Sequence, residues 1–272
     1  MPNIRSTGIF ADESASDGLY RGTYIASSKV KVPGVPIDVL AQTEVVSYFN
    51  DFQHTLNDFE LTTFWEAADV GTVTVDPSTF LITESGRGAL RLIADATAGD
   101  GNSVSRTTTG GLLTGLTPTA NTVITWESEF NSSDWDANHW FAGLFEDTGG
   151  AAVVDTNGDM LGSLEFVGFH YNDDDDTAGV PVLLAAGANN TEVATTASET
   201  ISAGVDDTYR RFGLRIEGTD KIEWYVDGRK KGEAVLASAF TAPLFIAYGA
   251  VNNEGVADTF DIDWVLTSQT RG

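Results

Sequence analysis

The chain of 272 residues contains no cysteine and only 15 lysines and arginines against 40 aspartates and glutamates. Without cysteine there is no disulfide framework, no thiolate nucleophile and no cysteine-built zinc site. The shortage of cations leaves a formal net charge of −25 and a pI near 4.1. Such a field repels phosphate backbones, so no nucleic-acid partner is expected. No stretch approaches the roughly 18 consecutive apolar residues of a membrane span, so no membrane partner is expected either. Met1-Pro-Asn-Ile-Arg-Ser-Thr-Gly opens without the apolar h-region of a secretion signal, and ordinary signal-peptide export is not expected. An acidic surface suits a saline medium, where salt screens its self-repulsion.

What the chain does have is alternation. Phe212, Leu214 and Ile216 alternate with Gly213, Arg215 and Glu217, and Ile222, Trp224 and Val226 repeat the pattern after Gly218-Thr219-Asp220. Asp227-Gly228 then supplies the positive φ values that a two-residue hairpin turn needs. Two hairpins laid end to end, each with one wet face, specify an antiparallel sheet.

Further short strands are expected at 45–52, 72–75, 80–83, 88–93, 122–130, 139–145, 163–170, 180–184, 243–248 and 260–266, separated by turn clusters. In the last of these, Phe260, Ile262, Trp264 and Leu266 are expected inward, with Asp261 and Asp263 outward. Only Asn57 to Ala68 could hold a short helix. Thr97 to Gly115 reads as Gly/Asn/Thr/Ala-rich loop, and Asp173 to Asp176 and Ala185 to Thr200 are of low complexity. Residues 1–45 differ: Val32-Pro33-Gly34-Val35-Pro36 cannot be helix interior, and the segment reads as an extended arm with a turn near Pro33-Gly34. The arm either packs on its own domain or reaches a neighbouring subunit. The expected architecture is all-β: the arm, then a two-sheet antiparallel β-sandwich over 46–272.

Taken in order, Phe49-Asn-Asp-Phe52, Gly88-Ala-Leu-Arg-Leu92, Ile124-Thr-Trp-Glu-Ser-Glu-Phe130, Phe141-Ala-Gly-Leu-Phe145, Val167-Gly-Phe-His170, Phe212-Gly-Leu-Arg-Ile216, Trp224-Tyr-Val-Asp-Gly228 and Phe260-Asp-Ile-Asp-Trp-Val265 resemble the concanavalin A-like lectin/glucanase jelly roll, particularly its laminin G-like branch. The resemblance covers about residues 46–268. It implies a fold that hosts hydrolases, lectins and purely structural modules alike. The Asn3-Ile-Arg-Ser-Thr-Gly-Ile-Phe10 opening and the acidic, cysteine-free composition also resemble tailed-phage virion proteins. That resemblance implies a capsid decoration or cement protein made in the host cytoplasm, with the major capsid protein and copies of itself as partners, in a dimer or trimer.

Glycoside hydrolysis needs two carboxylates flanking the scissile bond. Glucanases of the resembling fold carry them on one strand as Glu-x-Asp-x-(x)-Glu, and here no Glu is followed two positions later by Asp. Glu127-Ser-Glu129 and Asp261-Ile-Asp263 are the nearest imitations, and both read as solvated outer-face residues. His54, His139 and His170 lie in separate segments, and there is no Gly-x-Ser-x-Gly elbow. His139 and His170 read as partly buried strand-end residues. No enzyme is therefore expected.

Asp155, Asn157 and Asp159 offer oxygens at alternate positions, the arrangement of a hard-cation loop, and are the candidate calcium ligands. The plainer reading of the same residues is a solvated turn. Trp135 and Trp140, near loops and polar neighbours, are candidate stacking platforms for a surface glycan in a carbohydrate-binding or tail-adhesin module, which is the alternative function. A divergent polysaccharide hydrolase is a third. Arg210-Arg211 and Arg229-Lys230-Lys231 are the basic clusters, suited to an acidic partner surface or to exposed turns.

Overall fold

A computed structural model describes residues 25–26, 29–30, 45–50, 65–72, 81–84, 87–106, 115–147, 149–160, 164–172, 179–188 and 201–270. Over them run β1 (Ile25–Ala26), β2 (Lys29–Val30), β3 (Val45–Asn50), β4 (Trp65–Val70), β5 (Leu81–Glu84), β6 (Arg87–Ala94), β7 (Gly101–Arg106) and β8 (Val123–Ser132). They continue with β9 (Asn138–Glu146), β10 (Phe166–Tyr171), β11 (Val182–Ala186), β12 (Arg210–Glu217), β13 (Lys221–Val226), β14 (Arg229–Val235), β15 (Leu244–Asn252) and β16 (Asp258–Thr270).

β1 and β2 pair only with each other. The remaining strands form two antiparallel sheets. One has six strands in the order β11-β10-β9-β15-β7-β4. The other has eight, β14-β13-β12-β8-β16, with β6-β5 and then β3 sharing the far edge of β16. The all-β sandwich expected from alternation is the observed fold.

Local chemistry explains the best-defined hairpins. Val226 pairs with Arg229, so Asp227 and Gly228 form the two-residue turn, at φ 50 and 75. Both angles lie in the left-handed region that such a turn demands. Between the sheets, Phe130 stacks on Phe212 with centroids 4.6 Å apart. Trp126, Trp135, Trp140, Phe169, Trp224, Tyr248 and Phe260 bury around them. Burial of these large rings is one of the contributions that drive closure of the sandwich.

Three expectations are corrected. The parity of β16 changes partway: Ile262 opposes Phe130 but Trp264 opposes Glu129, so Asp263 is the extra residue of a β-bulge. Beyond it Val265 enters the core, while Trp264 and Leu266 turn to the outer face with Glu129 and Glu127. The bulge falls where β16 passes from β6 to β3 as edge partner. Second, Trp65 to Ala68 belong to β4 rather than a helix, because Trp65 packs beside Tyr248 in the core; 57–64 lie outside the described residues. Third, Gly101–Arg106, read as loop, is β7 between β15 and β4. Its polar residues are all buried, and Gly101 passes so close to β15 that a Cβ there would meet Ala250 O at 2.1 Å. The arm's Pro33-Gly34 turn, the 72–75 strand beyond Thr72, the tetra-aspartate run and His54 lie outside the described residues.

Candidate functional site

A groove for an extended ligand would have to open on the outer face of one sheet. On the six-stranded sheet that face carries Phe141 and Phe145 of β9, Phe166 of β10, Leu184 and Ala186 of β11, and Ala247 and Val251 of β15. All are buried, in a second apolar cluster separate from the main core. Its cover is the β9–β10 connection, whose Ala152, Val153, Val154, Met160 and Leu164 pack down on the sheet. The fit is close: a Cβ on Gly249 would meet Val153 Cγ2 at 2.8 Å and Val154 Cγ2 at 2.9 Å. Val153 N donates to Ser103 Oγ at 3.2 Å. The face is a second core under a lid.

On the outer face of the eight-stranded sheet, Glu127 and Glu129 project from β8 beside Trp264 and Arg211. Glu127 is not solvated, as its position opposite the apolar residues had suggested. It is buried, and its carboxyl is held well above the ordinary range by that burial, against the opposing pull of Arg211. Arg211 Nε stands 3.0 Å from Glu127 Oε1, and Trp264 Nε1 donates to Glu129 Oε2 at 2.7 Å. Asp261, also expected in water, is buried and gripped by both Nε and Nη2 of Arg91 at 2.7 Å. Three of these four carboxylates, Glu127, Glu129 and Asp261, are thus engaged by neighbouring side chains.

The basic runs are partly spent internally. Arg210 is buried, donates to Ser202 O at 2.7 Å and lies over the Phe212 ring.

The sequence-predicted site residues scatter. Trp135 and Trp140 cannot be glycan platforms: they are 1% and 0% exposed, edge-to-face at 5.4 Å, because the large rings serve the core instead. Asp155, Asn157 and Asp159 do share one turn. There Asp155 Oδ1 accepts from the backbone N–H of Asn157 (2.8 Å) and of Asp159 (3.1 Å). The turn rests on two histidines more buried than expected. Gly158 (φ 77) leaves no room for a Cβ beside His139, and its carbonyl lies 2.8 Å from His170 Nε2.

Sequence reading missed the cluster that the fold does assemble. The β8–β9 turn and the 201–208 segment meet at one end of the sandwich, bringing carboxylate oxygens of Asp134, Asp136 and Asp206 within 4.8 Å of one another. Trp135 is the reason they meet. Its indole buries against Phe130 and Phe212, which throws Asp134 and Asp136 outward on either side. Gly204 lies directly on the same indole, where a Cβ would stand 2.2 Å from a ring carbon. Trp135 N donates to Asp206 Oδ1 at 3.0 Å, and Asp207 N to Ser132 O at 3.0 Å.

Among the described residues no cation pairs with these acids. The Asp134 carboxyl is accordingly pushed up to about 6, first by partial burial, then by its hydrogen bond to Asp136 and by the charges of Asp136 and Asp206. Asp258 nearby is also raised, chiefly by burial, with Glu254 and Asp206 adding to it and the Ser133 hydroxyl opposing. The sequence signal was Asp134-Trp135-Asp136, two acids flanking a ring bound for the core.

These features fix the fold among known ones. The structure superposes on the potassium-bound Emp46p carbohydrate recognition domain with TM-score 0.56 and 11% identity, covering 80% of this chain and 94% of that one. It also superposes on a prokaryotic β-1,3-1,4-glucanase (lichenase) from a mouse hindgut metagenome (0.53, 13%, 82% and 98%). A third match is the κ-carrageenase of Pseudoalteromonas carrageenovora in complex with an oligotetrasaccharide (0.55, 12%, 91% and 100%). The fold is the concanavalin A-like jelly roll. No protein-family model and no curated protein matches the sequence.

Proposed function

We propose that this concanavalin A-like jelly roll is a non-catalytic virion structural module, a capsid decoration or cement protein of a tailed phage. It would act by surface contact with the major capsid protein and with copies of itself. The observation that carries the non-catalytic part is the lidded outer face of the six-stranded sheet, where a second apolar cluster fills the space a bound chain would need. The engagement of Glu127 by Arg211 and of Glu129 by Trp264 supports it as well. The acidic composition and the N-terminal resemblance support the virion setting. In use, the arm and one face of the sandwich would bury area across subunit boundaries, at the roughly 1,200–2,000 Å² of a stable interface.

Two measurements test this reading. Mass spectrometry of density-purified particles should find the chain at stoichiometric copy number, and purified protein should sediment with undecorated shells. A monomer absent from particles and indifferent to shells overturns it.

A second reading is a carbohydrate-binding module or tail adhesin, favoured by the open acidic loop end and by neighbours that include a carbohydrate recognition domain and a κ-carrageenase bound to an oligosaccharide. A glycan array read with and without Ca²⁺ separates the two. Saturable binding supports the second reading, and silence in both conditions removes it.

A further inference from the structure

We infer that Met160 is an oxidation site, and that its conversion to the sulfoxide by a peroxide releases the β9–β10 connection from the outer face of the six-stranded sheet. The inference stands apart from either functional reading above.

The sequence narrows the chemistry first. With no cysteine and two methionines, Met1 and Met160, the chain holds only thioether sulfur, and Met160 is the one among the described residues. Oxidation to the sulfoxide needs a two-electron oxidant, here a peroxide. The sulfur lone pair attacks one peroxide oxygen, the O–O bond breaks and an S–O bond forms. The second oxygen takes the proton and leaves as water, so the sulfur is oxidised and the peroxide reduced.

Three observations tie that sulfur to the lid. Met160 is half-buried and packs against the second apolar cluster. It is thus within reach of a small peroxide, while Val153 and Val154 of the same connection are fully enclosed. Second, the backbone of Met160 pairs with that of Val154 in an isolated antiparallel bridge. Inside the bridge, Asp155 N donates to Asp159 O at 2.8 Å, so Met160 closes the turn between them. Third, Val153 and Val154 seat on Gly249 of β15, where no Cβ fits beneath their methyl groups. A displacement of Met160 is therefore passed to the two side chains that seal the sheet.

Oxidation turns a flexible apolar side chain into a polar one. The cluster beneath Met160 is built from side chains such as Phe141, Phe166, Leu184 and Val251. A sulfoxide oxygen held against them costs free energy unless it turns out to water, and that rotation withdraws the apolar contact. The core between the two sheets contains no sulfur, so the effect stays with the lid.

Hydrogen peroxide on the full folded chain tests the proposal, read by peptide mass mapping, amide hydrogen exchange and binding of a dye for exposed apolar surface. Wild type should gain one oxygen at Met160. Its amides at 152–154 should then exchange at least about tenfold faster, with those of β8 unchanged, and dye binding should rise. Met160→Leu fills a similar volume without an oxidisable sulfur and retains Met1. The same dose should leave its lid amides and dye binding unmoved. Met160→Gln, polar at that position without any peroxide, should match oxidised wild type. A Met160 that stays unoxidised in the folded chain, lid amides unmoved by the sulfoxide, or equal acceleration in Met160→Leu overturns the proposal.

Discussion

Glu127 shows what position on a strand decides and what it leaves open. Alternation along β8 places it opposite Trp126 and Ser128, on the outer face, and that much is legible in the sequence. Its burial is a tertiary outcome that no local pattern announces. Because burial raises its carboxyl well above the ordinary 4.5, the folded protein holds the neutral form where the unfolded chain would ionise. Its contribution to stability is thus complete below about 4.5 and is lost as pH rises toward the raised folded value. Glutamine mimics the neutral form at every pH. In denaturant titrations, Glu127→Gln should therefore gain on wild type by about 1 kcal/mol or more between pH 4.5 and pH 8. A difference that is flat or falls with pH would mean that the pairing with Arg211, not burial, governs the group.

At the scale of elements, the hairpins from β12 to β14 were readable because everything that specifies them is local: alternation, Gly218 and the Asp227-Gly228 turn. β7 was not, since Gly101-Asn-Ser-Val-Ser-Arg106 has no alternating signature and is a strand only because β15 and β4 flank it. The parity of β16 was readable as far as Ile262. The bulge at Asp263 belongs to the pairing with β8, and its cause lies in two strands at once. The lid was hidden for a related reason: Val153 and Val154 sit in an Ala, Gly and Asp context that reads as a loop, and only the bare sheet beneath makes them core.

Gly143 tests that packing. A Cβ there would stand 2.4 Å from Val167 O and 2.5 Å from Gly168 Cα, backbone atoms of the neighbouring strand that cannot step aside. Gly143→Ala should cost about 1–3 kcal/mol of unfolding free energy, the range for forced overpacking. A neutral substitution would show that β9 and β10 are less tightly joined than described.

The whole molecule combines a very acidic composition with two apolar cores, one between the sheets and one beneath the lid. Fold class followed from the sequence because many weak alternations agree with one another. The acidic trio did not, because it depends on two loops meeting over Trp135, whereas the oxygens of the Asp155 turn are neighbours in the chain.

The outer face of the six-stranded sheet is covered by the β9–β10 connection. A chain without cysteine makes the most direct test of that cover simple, since one introduced thiol is the sole reactive group. Ala247→Cys places that thiol on the closed face, in a residue 0% exposed, and Val235→Cys places it at a site 68% exposed. If the lid opens only against several kcal/mol, a disulfide reagent should label Cys at 247 at least about 1,000-fold more slowly than at 235 under native conditions. Labelling of the two at rates within about tenfold of each other would mean that the face is an open groove.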